Sequence, residues 1–196
     1  MAMKINVVPY RPECPTLFQG EKEKFSQVIN EDNLINILHI GSTSVPGLSA
    51  KPVIDMLVVV KDINQLDQDN NQIASLGYLP MGEFGIPGRR YFRKGEDNRT
   101  HQIHAFQYDN MYNISRHVLV RDYLRCHEEA RKAYAKIIIE GAEKYPESID
   151  DYGDYKDAFV KQLEKDDLMW HWTNNLKKRT MTKLSHSSFL LISSIT

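Results

Sequence analysis

Residues 53–60 read Val-Ile-Asp-Met-Leu-Val-Val-Val, a run that is almost wholly apolar and rich in β-branched side chains. Successive side chains of a strand point to opposite faces, so a strand apolar on both faces belongs in the middle of a covered sheet. One residue breaks the run. Asp55 is costly to bury unless a cation or hydrogen-bond donors satisfy it. Coordination of Mg²⁺, which takes hard oxygen ligands, would account for the acid. So would a place near the strand's end, where the carboxylate caps a loop. Both readings stay open on residue types alone.

The flanking segments supply the cover. Arg11, Pro12 and Pro15 mark a turn into a helix, along which Leu17, Phe18, Phe25, Val28 and Ile29 recur at helical spacing. Leu34–Ile40 reads as a strand stopped at Gly41. Asp62–Leu76 reads as a helix with a polar face, closed by Gly77. Arg89–Lys94 and Arg99–Phe106 flank Gly95-Glu96-Asp97-Asn98, a hairpin turn. From Ser115 onward, Leu119, Tyr123, Cys126, Ala130, Ala133, Ile137 and Gly141 step by three or four. That spacing predicts one amphipathic helix ending near Tyr145–Pro146. A second helix runs from about Tyr152 into the Trp170–Trp172 region. The order predicts an α+β domain backed by a C-terminal helical pair.

The chain has 196 residues, 41% of them hydrophobic, which suits one compact domain with a real core. We place that domain at residues 1–167. Residues 168–196 form a C-terminal extension: no acid follows Asp167, Lys177, Lys178, Arg179 and Lys183 are basic, and a mobile tail is expected. Lys plus Arg number 25 against 26 for Asp plus Glu, so the chain has no overall basic footprint for nucleic acid. Cys14 and Cys126 lack zinc-site or disulfide-framework spacing and fit a reduced, cytoplasmic compartment. Residues 1–8 lack the length of a signal peptide, and no run approaches the roughly 20 apolar residues that span a bilayer.

The densest chemistry lies in Gly41-Ser-Thr-Ser-Val-Pro-Gly-Leu-Ser-Ala-Lys-Pro-Val-Ile-Asp55. A glycine lets backbone approach a ligand closely, and the N–H and hydroxyl donors of Gly41, Ser42, Thr43 and Ser44 can cradle phosphate oxygens. Lys51 is either a further phosphate contact or an ion-pair partner of Asp55. Between residues 89 and 125 there are eight basic side chains and four acids. Planar guanidinium groups suit bidentate phosphate contact, while ion pairing on a solvated face is the plainer alternative. His101 and His104 can serve as metal ligand or general base. In a regular strand they face opposite sides, so one of them is expected to be structural.

The string HIGSTSVPGLSAKPVIDMLVVV (His39–Val60) resembles the signature of the GrpB-like family. Further blocks follow in order: Gly77–Tyr78, Tyr91-Phe-Arg93, His101-Gln-Ile-His104, Arg121-Asp-Tyr-Leu-Arg125 and Tyr155–Lys156. The choice of Arg93 and Arg121 as phosphate candidates rests on these family blocks, in which both stand. The resemblance implies a polymerase-β-type nucleotidyltransferase fold: a mixed sheet with flanking helices and a C-terminal helical segment. It also implies a nucleoside triphosphate or other phosphorylated small molecule as partner, and Mg²⁺ or Mn²⁺ as cofactor. Asp55 and His104 would then ligate metal, and His104 or His101 would take the acceptor's proton during nucleotidyl transfer. The chain departs from that pattern at one point. Such sites hold two metals on carboxylates at alternate strand positions, yet Val53 and Leu57, two residues either side of Asp55, are both apolar. The alternative is an inactive module that keeps the phosphate pocket.

Overall fold

The computed structural model describes residues 5–96 and 98–192, with side chains described through residue 174. Five strands, β1 (Leu34–Ile40), β2 (Ile54–Val60), β3 (Tyr78–Pro80), β4 (Arg89–Lys94) and β5 (His101–Gln107), form one sheet in the order β1-β2-β5-β4-β3. β2 runs parallel to β5 and antiparallel to β1, while β3, β4 and β5 pair antiparallel. The apolar run is thus an inner strand, as its composition requires.

Helix α1 (Cys14–Val28) and the short helices α2 (Ile63–Leu66) and α3 (Asn70–Ser75) cover one face of this sheet. Met56, Val58 and Val60 of β2 point there, into a core with Phe25, Ile37, Phe92 and Ile103, none more than 2% exposed. Leu57 and Val59 point the other way. With Ile40 and Phe106 they meet Ile114 and Val118 of α4 (Met111–Cys126). Helices α5 (Glu128–Lys144) and α6 (Ile149–Ile192) pack beside α4, joined through Leu124, Tyr134, Phe159 and Leu163. The structure is therefore α+β, a mixed sheet with helices on both faces and a helical segment at the C-terminal end.

Two expected helices are broken, each for a local reason. Over residues 62–76 the chain forms α2, a tight turn at Asp67–Asp69, then α3. Asp67 accepts a two-pronged contact from Arg90 at 2.7 and 2.8 Å, and Asp69 accepts from the Asn30 N–H at 3.0 Å. Side chains committed to distant partners displace the regular turn. The helix expected from Ser115 to Tyr145 divides at His127, whose backbone is extended. The His127 ring stacks on Tyr123 with centroids 3.9 Å apart and meets Trp170 edge-on, while Arg131 donates to the Leu124 carbonyl at the helix end. The three-and-four stepping continues across this one-residue break, so periodicity alone reads straight through it. The separate extension read at 168–196 begins inside α6, and beyond residue 174 its side chains lie outside the described residues.

Candidate functional site

The cleft lies where the α4 face of the sheet meets α4, α5 and α6, and has a volume of about 390 Å³. Its floor is set by strand register. Asp55 pairs across β1 with Ile40 and across the parallel β5 with Gln102, and Leu57 pairs with His104. Residues two apart share a face, so Asp55, Gln102 and His104 all point towards α4. His104 Nε2 lies 3.9 Å from Asp55 Oδ1, and its Nδ1 is 3.4 Å from the Arg89 guanidinium. With its amide oriented as its neighbours require, Gln102 donates to Asp55 Oδ1 at 3.1 Å and to Tyr91 Oη at 3.3 Å, and accepts from Arg99 at 3.2 Å.

The turn after β1 forms the rim. Gly41 has φ 69° and ψ −176°, a conformation essentially reserved for glycine. A Cβ there would lie 2.5 Å from Asp55 Oδ2, so the bare backbone is also what lets the turn lie against the carboxylate. The turn is held internally: Ser44 Oγ donates to the Gly41 carbonyl at 2.6 Å and Thr43 Oγ1 to the Val53 carbonyl at 3.0 Å. Helix α4 fastens it from outside. Arg121 donates to the His39 carbonyl at 3.0 Å, and Arg125 grips the Ser44 carbonyl with two nitrogens at 3.0 and 2.7 Å.

Cationic side chains face the floor. Lys51, Arg116, Arg121 and Lys156 line the cleft, against Asp55, Asp157 and Glu164. Glu164 is already bound by Arg116 at 2.7 Å. Lys51 and Lys156 converge on the ring of Tyr152, their ammonium groups 5.2 and 5.0 Å from its centroid. Burial pulls Lys51 down to about 8, and repulsion from Lys156 adds to that effect while Asp55 opposes it. His117 of α4 stands beside His104 with ring centroids 5.0 Å apart. Burial, then the neighbouring His104, Arg116 and Arg89, push it down to about 3, so it is neutral. Its Nε2 is buried with no hydrogen-bond partner among the described residues.

Of the residues singled out in the sequence, Gly41, Ser42, Thr43, Lys51, Asp55, His104 and Arg121 all line this one cleft. Others lie elsewhere. His101 points to the α1 face, beside Tyr78 and 3.0 Å from Thr100 Oγ1. Ser44 is buried behind the turn. Arg93 shares the face of Tyr91 and pairs in register with Gln102, outside the cleft lining. The sequence did not single out Gln102, Arg116, His117, Tyr152 or Lys156 as site residues, although Gln102 and Lys156 stand in the quoted family blocks. Gln102 was within reach, being two strand positions from His104 and so on its face. His117 and Arg116 needed the packing of α4 on the sheet.

The family model for GrpB protein matches residues 4–166. The chain belongs to the GrpB family. It is similar to the protein YqkA of Bacillus subtilis, 41% identical over 167 residues, spanning 85% of this chain but only 48% of that relative. The chain thus covers about half the length of that curated relative. Glutamate-rich protein GrpB of Alkalihalophilus pseudofirmus is 30% identical over 82% of this chain and 94% of its own length. The crystal structure of conserved protein GrpB from Enterococcus faecalis superposes with a TM-score of 0.82 at 42% identity, over 85% of this chain and 99% of that one. The Cid1 poly(U) polymerase with Mg 3'-dATP bound shares the fold alone: TM-score 0.50, 12% identity, 76% of this chain and 49% of that one. The polymerase-β-type nucleotidyltransferase fold is therefore established for this GrpB chain.

The divalent metal implied by that fold does not fit the GrpB donor set. Among the described residues no three His, Cys, Asp or Glu side chains are grouped to hold an ion. Asp55 is the sole carboxylate on the floor, and its register partner is the amide Gln102, whose N–H₂ already points at Oδ1. Hard divalent cations want several oxygen ligands, and Mg²⁺ accepts few compromises in geometry. Among the described residues, no helix is long and apolar enough to cross a membrane.

Proposed function

We propose that the GrpB cleft binds a phosphorylated, nucleotide-type ligand in the cytoplasm. One observation carries the reading. The Gly41–Thr43 turn, Lys51, Arg121 and Lys156 open onto a single concavity of about 390 Å³, within the range of small-molecule sites. Apolar Val120, Leu124, Ile138 and Val160 line the rest of it, suited to the uncharged part of such a ligand. Cys14 and Cys126, both free, suit a reducing compartment.

A second reading is carried by the 3.9 Å approach of His104 Nε2 to Asp55 Oδ1. A carboxylate beside an imidazole can hold its ring in one orientation, which suits His104 to general-base work. In nucleotidyl transfer an acceptor hydroxyl would lose its proton to His104 as its oxygen attacks the α-phosphorus. The bond to the bridging oxygen would break and pyrophosphate would leave. Thermal shift with a panel of nucleoside mono-, di- and triphosphates tests the binding reading. A ligand at one hundred times its Kd stabilises by about 2.7 kcal/mol, a rise of roughly 5–10 °C for a chain of this size. No shift with any phosphorylated compound would end the reading. Pyrophosphate release from the compound that binds tests the transferase step.

A further inference from the structure

Resting on the binding reading, we propose that Lys51 and Lys156, converging on Tyr152, neutralise the ligand's polyphosphate in place of a divalent ion, so that this cleft binds di- and triphosphates without metal. Three independent observations converge on it. First, the floor has an acid–amide pair where a metal site needs a second acid. The register puts Gln102 beside Asp55 on the same face, and the amide donates to the one oxygen nearest His104. Second, two ammonium groups lie within 5.2 Å of one aromatic centroid, close enough for Lys156 to act on the protonation of Lys51. Neither is matched by a carboxylate ion pair among the described residues, whereas Lys94, Arg90 and Arg116 each have one. Third, both lysines line the same cleft as the Gly41–Thr43 turn.

The physics favours an anion there. Two like charges that converge on one ring repel each other, and burial penalises the charged form of Lys51. A polyphosphate relieves both effects at once, and each ammonium can direct three N–H donors at phosphate oxygens. The aromatic face of Tyr152 supports the cations meanwhile, by attraction to its ring quadrupole. Asp55 then acts in the opposite sense to a metal ligand. Without a cation between them, its carboxylate repels the phosphates.

The opposite sign is the test. ATP and inorganic tripolyphosphate are titrated calorimetrically into the whole chain, in EDTA and again in excess Mg²⁺. The expected affinities agree within about threefold between the two conditions. Asp55→Asn is expected to bind ATP in EDTA more tightly, by about twofold or more, with an unchanged melting temperature or a higher one. Lys156→Met and Lys51→Met, which keep the aliphatic stems, should each weaken binding by about tenfold or more. Binding that needs Mg²⁺ and vanishes in Asp55→Asn would overturn the metal-free site while leaving the nucleotide reading intact. Failure of every phosphorylated probe under both conditions would remove both. Should a lysine variant melt early, the Asp55→Asn sign and the EDTA comparison decide alone.

Discussion

The two faces of the central sheet carry similar polar residues under opposite conditions. On the α1 face, Glu21 is 3% exposed yet held by Lys94 at 2.7 Å, and His39 stacks on Phe18 and reaches Thr43 Oγ1 at 3.1 Å. On the α4 face, Asp55 has an amide and a histidine at 3.9 Å, and His117 Nε2 has no partner among the described residues. The same strands supply both faces, since Met56 points one way and Asp55 and Leu57 the other. The difference lies in what the polar groups face. On the α1 face Glu21 and His39 find partners within the fold, and the atoms left without one among the described residues, Tyr78 Oη and His101 Nε2, are closed off by packing. Asp55 and His104 on the α4 face are instead turned towards a cavity. Packing against α1 builds the first face, and the second lines the cleft of about 390 Å³.

The sharpest way to break that comparison is one substitution on each face. Phe25 is 0% exposed under α1, and Phe25→Ala should cost about 3–5 kcal/mol of stability. Nucleotide affinity in the folded fraction should stay put, because no cleft residue loses a contact. Gly41→Ala should cost less, about 2–3 kcal/mol, through its glycine-only backbone and the 2.5 Å approach to Asp55 Oδ2. It should nevertheless abolish binding, because the carboxylate must move or the turn must. Denaturant midpoints paired with calorimetry on both variants check this. Equal loss of affinity in the two would mean that the faces are not separable.

Acid titration sharpens the same contrast at a smaller scale. Burial lowers His39 to about 4, and burial together with nearby cations lowers His117 to about 3. Each is neutral in the folded chain at pH values where the unfolded chain, near 6.5, protonates it. Stability is therefore full above pH 6.5 and is lost as pH falls through that value, by about 2 kcal/mol per histidine on reaching pH 5. Bound ATP should separate the two. An anion in the cleft favours the imidazolium of His117, so its ring signal should titrate at higher pH with ligand present, by more than that of His39, which lies on the other face behind the turn. Parallel behaviour of both rings in NMR titrations would place the ligand away from His117.

How much of this was legible in the sequence depends on the range of the interaction involved. Strand β2 and its two-sided cover followed from the apolar run, because alternation is a local property. The Gly41–Asp55 segment carried its own chemistry, so the turn, Lys51 and Asp55, which share the cleft lining, were singled out from local sequence alone. The strand rule also separated His101 from His104, three apart and on opposite faces. What stayed hidden was long-range. The break at His127 depends on Tyr123 and Trp170 closing round one ring, and Asp67 leaves its helix for Arg90, 23 residues away. Arg121 read as a phosphate contact or a surface ion pair, and nothing local showed that it and Arg125 hold the His39 and Ser44 carbonyls, 82 and 81 residues distant. Lys156 gained its meaning only when α6 brought it to Tyr152 and Lys51.

The smallest expected effect tests that last convergence most directly. The groups acting on the Lys51 ammonium are Asp55 from β2, Lys156 and Tyr152 from α6, and Arg99 from the segment before β5. Burial and the cations outweigh the single acid and leave Lys51 at about 8 in the free protein. A polyphosphate favours the protonated amine, so binding takes up a proton once the pH exceeds that value. Affinity for ATP in EDTA should therefore be flat from pH 7 to about 8. It should then fall by up to tenfold between pH 8.5 and 9.5, equivalent to about 1.4 kcal/mol. Arginine keeps its charge throughout this range, so Lys51→Arg should bind with a flat profile. Calorimetry in buffers of different ionisation enthalpy measures the proton uptake directly. A wild-type profile as flat as that of Lys51→Arg, with no proton taken up at pH 9, would mean that Lys51 does not meet the phosphates, and the floor of the cleft would have to hold them by other means.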